Sequence, residues 1–318
     1  MRLYKNCVVQ TIYFEVTLDC ILDCVFCSQK PVKNPKSTYR SIGDFKKVLE
    51  EFPEADIVMF TGGEPLLHPE ILKMIKLAKK KVPEVCMETN GVLLAEMAGK
   101  LKKAGVDSVY VSIHSCDSEI EKKITGKDVL QEKLRGMEKA YEAGLRVMPS
   151  TVISSLNYKH LPEMVDRMLK KFPWIHHWVF NFIDAVGKAA KNTWTVPRYS
   201  EVDLWLFLAL SKLKRRGITF RVERVPLCYM AEFAEYSTEA RRIIHREVDF
   251  VHRRGRSSKS YTSRYWEWEY EKPEVCQLCW WRDICPGIEK DYVKIYGSEE
   301  LYPIFLSPKQ IIKKAGRD

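Results

Sequence analysis

The sequence predicts an α/β fold built on a parallel sheet with helices on its outer face. Short apolar runs of strand length recur near residues 8–16, 56–61, 82–89, 107–113, 146–153 and 177–183. Between them lie stretches with apolar residues at helical spacing. Six such alternating units argue for strands joined by crossover helices rather than by hairpins. A length of 318 residues and an apolar content of 46% suffice for one large core or two smaller ones.

The elements follow in order. The apolar segment Val8 to Val16 runs into a loop carrying Cys20, Cys24 and Cys27. A helix pattern over Phe45 to Phe52 is introduced by Ser41 with Asp44, a residue pair suited to a helix start. Asp56 to Thr61 reads as a buried strand ending in Gly62-Gly63-Glu64-Pro65, followed by a helix over Pro69 to Lys80. Val85 to Thr89 is a strand ending in Asn90-Gly91, and the helix Ala95 to Ala104 stops at Gly105. Ser108 to Ile113 forms the next strand, running into His114-Ser115, and the helix Leu130 to Ala143 stops at Gly144. Leu161 to Lys171 is helical. Asn181 and Asp184 then fall at or just past the sixth strand, with Gly187 following, as a ligand contact or a plain polar loop. A further helix over Val202 to Arg215 sets Leu204, Leu206, Phe207, Leu210 and Leu213 on one side. In repeated βα units, ligand-touching residues gather in the loops after the strand C-termini, and the polar signals here fall at those ends.

The spacing C-x3-C-x2-C in Cys20, Cys24 and Cys27 carries the most specific chemistry. An iron–sulfur cube needs an outside ligand on each of its irons, and three thiolates leave one corner open to a small molecule. A tetrahedral zinc site would close with a fourth Cys or His nearby. Cys7 precedes the first strand and the first histidine is His68, so zinc fits less well. A redox pair in Cys24 and Cys27 and a structural cysteine cluster are the remaining alternatives. Gly62 and Gly63 let the backbone approach a ligand with its carbonyls turned toward it, and Glu64 adds charge assistance or fixes the turn.

The cysteine triplet, with Phe26 before its last member, resembles the signature of the radical S-adenosylmethionine (radical SAM) superfamily. The Gly-Gly-Glu-Pro stretch, Asn90-Gly91, Ser112 and Thr125-Gly126 resemble further family elements in the order that family requires. The resemblance covers about residues 8 to 190 and resumes near the C-terminus. It implies a partial (β/α)6 TIM-like barrel over residues 1–215, open on one side. It also implies a [4Fe–4S] cluster on Cys20, Cys24 and Cys27 that binds SAM. Gly62, Gly63 and Glu64 are then expected near the methionine ammonium, with Asn90 and Ser112 near the ribose or carboxylate. The implied activity is reductive SAM cleavage to a 5′-deoxyadenosyl radical that abstracts hydrogen from a substrate. An electron donor such as ferredoxin or flavodoxin is implied as partner.

Beyond residue 216 the alternation stops, although Ile218 to Val222 still reads as a strand. Cys276, Cys279 and Cys285 lie within ten residues, and with Cys228 they make a closed metal site, iron–sulfur in preference to zinc. This C-x2-C-x5-C stretch resembles part of the SPASM or twitch extension of radical SAM enzymes, which places an auxiliary [4Fe–4S] cluster in residues 216–318. A full SPASM pattern has another cysteine where this chain has Glu289. Trp266, Trp268, Tyr270, Trp280 and Trp281 surround this group, suited to packing or to stacking on a substrate. Cys7 and Cys86 read as core residues, and Cys116 as a loop thiol or a hydrogen donor to the active site.

The formal charge of +10 favours an anionic partner. The excess gathers in Arg241-Arg242, His245-Arg246 and the segment His252 to Arg264, which holds Arg253, Arg254, Arg256 and Lys259. The extension suggests a peptide or protein substrate; the charge suggests tRNA or a nucleotide. A non-catalytic iron–sulfur or zinc protein is a reading of another class, and it leaves the strand-end glycines and Asn90 unexplained. No apolar run approaches the about 18 residues needed to span a bilayer, and the start lacks a signal-peptide core, so a cytoplasmic protein without membrane partners is expected.

Overall fold

A computed structural model describes residues 9–28, 39–245, 248–252, 261–263 and 269–315. Seven parallel strands run in chain order across one sheet: β1 (Val9–Thr17), β2 (Ile57–Gly62), β3 (Glu84–Thr89), β4 (Ser108–Ser112), β5 (Arg146–Ile153), β6 (His177–Phe182) and β7 (Thr219–Glu223). Helices α1 (Ile42–Glu51), α2 (Ile71–Lys79), α3 (Leu94–Ala104), α4 (Ser118–Thr125), α5 (Leu130–Glu142), α6 (Leu161–Lys171) and α7 (Tyr199–Arg215) are the crossovers. This is the α/β partial barrel the sequence predicts, with one strand more. β7 is a member of the sheet, pairing His177 with Thr219 through Asn181 with Glu223, although it lies beyond the alternating region of the sequence.

The outer face of each strand is a fully covered apolar row, including Phe14, Phe60, Met87, Val109, Val147 and Phe180, packed under the helices. The alternate residues face inward. Ser112, Ser150 and Val179 are register partners across β4, β5 and β6, and Val152, Asn181 and Glu223 form the next row. These inward residues are partly accessible, so the C-terminal end of the barrel holds a polar, open interior.

α7 turns differently from its sequence reading. Its buried face is Val202, Leu206, Ala209, Leu210 and Leu213, while Leu204 and Phe207 are exposed by 59% and 41%. The helix is apolar around much of its circumference, so sequence alone does not choose the inward side.

After β7, α8 (Thr238–His245) touches both ends of the seven-strand run. Glu239 Oε1 accepts from the Arg224 backbone N–H at 2.9 Å, just past β7, and Arg242 Nη2 donates to the Tyr13 hydroxyl of β1 at 3.3 Å. Arg242 is therefore buried, which removes it from the basic surface expected of Arg241-Arg242. Strand β8 (Val248–His252) then pairs in parallel with β1, and β9 (Tyr261–Ser263) pairs antiparallel with β8. Cys7, Arg246, Arg253, Arg254, Arg256, Lys259, Arg264, Trp266 and Trp268 lie outside the described residues.

The C-terminal part adds the hairpin β10 (Tyr270–Glu271) and β11 (Ile288–Glu289), then α9 (Lys290–Tyr296) and α10 (Lys309–Ala315). Tyr292 of α9 packs on Tyr199 at 4.4 Å between ring centroids, and Tyr199 packs on Phe182 at 4.3 Å. The Tyr199 backbone N–H donates to the Tyr292 hydroxyl at 3.2 Å. This aromatic block joins the extension to the barrel.

Candidate active site

The cysteine loop is held by backbone contacts from three sides. Gly63 N–H donates to Thr17 O and Glu64 N–H to Asp19 O, both at 2.8 Å. Asp23 N–H donates to Thr125 O at 3.0 Å and Val25 N–H to Ile124 O at 2.9 Å, which seats the loop on the C-terminal end of α4. Lys188 N–H donates to Cys27 O at 2.8 Å, and the Lys188 ammonium pairs with Asp23. Thr125-Gly126 thus has a specific task, to dock the thiol loop.

The two glycines of the Gly-Gly-Glu-Pro turn are needed because this loop presses on them. A Cβ at Gly62 would stand 2.2 Å from Thr17 O, and one at Gly63 would stand 2.4 Å from Asp19 O. The close approach they allow is to the chain's own cysteine segment. Glu64 is wholly buried, and both its oxygens serve the chain. Oε1 accepts from Leu66 N at 3.0 Å and from the Thr89 hydroxyl at 2.8 Å; Oε2 accepts from Asn90 N at 2.8 Å. Burial raises its carboxyl above the usual range, and these three donors oppose the rise. Of the two roles the sequence allows Glu64, the geometry matches fixing the turn.

Asn90 lies against the thiols. Its Oδ1 accepts from Val92 N at 3.0 Å, which points Nδ2 toward Cys20 Sγ at 3.7 Å. Leu22 N–H also faces Cys20 Sγ, at 3.4 Å. Burial raises the Cys20 thiol, and it pushes Cys24 up to about 12, against the lowering influence of the Lys133 ammonium. Such thiols keep their protons until a metal replaces them. Cys20 and Cys24 each sense a neighbouring thiol's charge, and among the described residues no three His, Cys, Asp or Glu side chains close on a single metal ion.

Behind the loop lies a polar knot that sequence reading missed. Lys133 of α5 and Glu121 of α4 are both fully buried and paired at 2.5 Å. The Lys133 ammonium also donates to Ser112 O at 3.1 Å, and Glu121 Oε2 accepts from His114 N at 3.0 Å and Ser115 N at 2.8 Å. His114 meets Phe26 edge-on at 5.4 Å, and burial lowers its imidazole to about 4, so it is neutral at pH 7. No motif signals a pair twelve residues apart. A lysine on the inward side of α5 was the one available hint.

Ser112 stands on the inward row with Ser150, whose hydroxyl accepts from Asn181 Nδ2 at 3.2 Å. Gly187, at a φ of 60°, sits under the cysteine loop, where a Cβ would meet Cys27 O at 2.5 Å and Ser28 O at 2.6 Å. Gly187→Ala should therefore destabilise the protein by about 1–3 kcal/mol and lower the iron retained after reconstitution. Urea denaturation and iron assay check this; parent-like values in both would show that the loop tolerates the clash. Cys116 does not face the mouth. Its thiol is directed at Met164 O of α6, 3.9 Å away. Cys86 is a core residue, as expected.

The second cysteine group converges. Cys228, Cys276, Cys279 and Cys285 line one cavity, closed by Trp281, Tyr302 and Ile304 among others. Gly287 N–H faces Cys285 Sγ and Ile304 N–H faces Cys279 Sγ, each at 3.4 Å, as suits sulfur carrying negative charge. Burial pushes Cys228 up to about 12 and Cys285 up to about 11. Trp281 packs here, whereas Trp280 is 58% exposed beside Phe305.

Residues 14–168 match the family model described as the radical SAM superfamily. A [4Fe–4S] cluster and SAM are the cofactors of that family. Among curated relatives, the "Probable GTP 3',8-cyclase" of Sulfurisphaera tokodaii is 35% identical over 162 residues, 50% of this chain and 51% of that protein. That of Methanococcus aeolicus is 36% identical over 170 residues, 49% of this chain and 56% of the relative. The chain thus spans about half the length of the curated relatives it matches. Among solved structures, Streptococcus suis SuiB bound to S-adenosylmethionine superposes with a TM-score of 0.65 at 13% identity, over 93% of this chain and 76% of that one. Native anSMEcpe with bound AdoMet gives 0.64 at 14% identity, over 96% and 95%. At such identities these two establish the fold. No helix among the described residues is long and apolar enough to cross a membrane.

Proposed function

We propose that this chain is a radical SAM enzyme that removes a hydrogen from a carbon of a peptide or protein. The observation that carries the reading is the three-thiol loop, docked at the strand ends beside Asn90. Cys20, Cys24 and Cys27 would hold a [4Fe–4S] cluster with one iron left for SAM. When bound, this pair supplies a 5′-deoxyadenosyl radical, given one electron from a donor of the ferredoxin or flavodoxin kind. The chain's own residues orient and enclose. Gly62 and Gly63 seat the loop, and Glu64 fixes the Asn90 backbone. Asn90, Ser112 and the Ser150–Asn181 pair offer polar groups to the cofactor.

Cys228, Cys276, Cys279 and Cys285 would close an auxiliary cluster on all four irons, as in a SPASM-like extension at residues 216–318. That leaves no corner for substrate and suits electron uptake from a product. Two observations support a peptide. Asp184, Glu269 and Glu289 surround Arg224 just past the strand ends, an environment unfavourable to a triphosphate. Structures sharing the fold over most of this chain include SuiB with precursor peptide SuiA and anSMEcpe with a Cp18Cys peptide. The relatives named for GTP chemistry and the +10 charge favour the second reading, modification of a nucleotide or tRNA.

Anaerobic purification, an iron and sulfide count, and addition of dithionite and SAM test the first claim. About eight irons per chain and release of 5′-deoxyadenosine are expected. A fully loaded protein that leaves SAM intact would refute it. RNA retained at low salt and released at high salt, or consumption of GTP, would favour the second reading over a peptide.

A further inference from the structure

We propose that Glu289 and Asp184 form a subsite for a positively charged amino group of the substrate at the mouth of the barrel. This deepens the peptide reading above and rests on it, the group being the side-chain ammonium of a lysine. Asp184 follows β6 and Arg224 follows β7, so both stand at strand C-termini. Asp184 lies three residues before Gly187, which touches the Cys27 backbone, and Glu289 lies four residues past Cys285.

The geometry leaves one acceptor without a donor. Glu289 Oε1 pairs with Arg224 Nη1, but Glu289 Oε2 is buried and meets no hydrogen-bond donor among the described residues. Such an atom is costly unless something arrives to use it. Asp184 Oδ2 reaches the same guanidinium only at 3.6 Å and Glu269 Oε2 at 3.9 Å, so three carboxylates share one cation. Burial pushes the Glu289 carboxyl up to about 8, with Arg224 opposing and Asp184 and Glu269 adding to the rise. Arg224 is also held in a left-handed conformation, φ 64°, as the one non-glycine residue at positive φ among the described residues. Its N–H is held by Glu239 at 2.9 Å, and its carbonyl accepts from the Tyr199 hydroxyl at 3.1 Å. Backbone strain locked from both sides is a mark of functional sites. Glu289 does not line the auxiliary cavity, which includes Gly287 but not its neighbour in β11.

Calorimetric titration of the anaerobically reconstituted, SAM-loaded protein tests this. The probes are Nα-acetyl-lysine methylamide and its norleucine counterpart, which has the same stem without the charge. The lysine probe should bind at least about tenfold tighter than the norleucine probe, and Glu289→Gln should remove that preference. Asp184→Asn, in a part-exposed carboxylate, should reduce it several-fold and serves as the test if Glu289→Gln does not fold. Equal binding of the two probes, or a preference unchanged in the variants, would overturn the subsite. A parent that cleaves SAM but ignores the lysine probe loses the subsite alone. One that binds the probe with the stated preference yet never cleaves SAM keeps the subsite and loses the radical reading.

Discussion

Cys24→Ala should abolish formation of 5′-deoxyadenosine, while Cys279→Ala should leave SAM cleavage measurable and uncoupled from product. Each variant should retain about four irons per chain in place of about eight, because the two thiol sets are separate. Cys24 lies in the loop between β1 and α1, docked through Asp23 and Val25 onto α4. Cys279 lines the cavity of the extension with Cys228, Cys276 and Cys285. Nucleoside analysis by chromatography reads the first effect, and an iron assay reads the second. If Cys24→Ala released the nucleoside at the parent's rate, the assignment of the first loop would be wrong.

Lys133→Met should cost about 3–5 kcal/mol in stability, the largest effect expected away from the cysteines. Removing the ammonium strands the fully buried Glu121 carboxylate, which still holds the His114 and Ser115 backbones. Adding Glu121→Gln removes the orphaned charge and keeps an acceptor, so the double variant should recover a substantial part of the loss. The pH dependence has a definite sign. Burial alone would raise the Glu121 carboxyl, but Lys133, His114 and the backbone donors together hold it below 4.5. Its contribution is therefore complete above about pH 4.5 and is lost as pH falls through the lower folded-state value. Urea midpoints of the parent and both variants at pH 7 decide the matter. A single variant within about 1 kcal/mol of the parent would show that the pair is dispensable.

Much of the fold was legible because its signals are local. Period-two and period-3.6 patterns marked β1 to β6 and most helices, and Gly105 stopped α3 as expected. What sequence could not supply were consequences of distant packing. β7 is a short strand after a long helix, and only its ladder with β6 makes it part of the barrel. The inward side of α7 is chosen by what it meets, which left Leu204 and Phe207 outside. At the site, the thiol spacing favoured an open cluster over zinc on local grounds alone. Glu64, by contrast, is committed to Leu66, Thr89 and Asn90, and nothing in a Gly-Gly-Glu-Pro string announces partners 25 residues away. Lys133 with Glu121 and Arg224 with Glu289 were missed for the same reason. Each is an ion pair made by topology, 12 or 65 residues apart in sequence.

The aromatic block of Phe182, Tyr199 and Tyr292 bears on how such a chain could change its specificity during evolution. The C-terminal segment is not an accessory that can be exchanged whole, because its tyrosine is mortar for the sixth strand and the seventh helix. A lineage that grafted a foreign tail here would have to rebuild that joint first. Divergence toward new targets is channelled instead into the loops that overhang the strand ends.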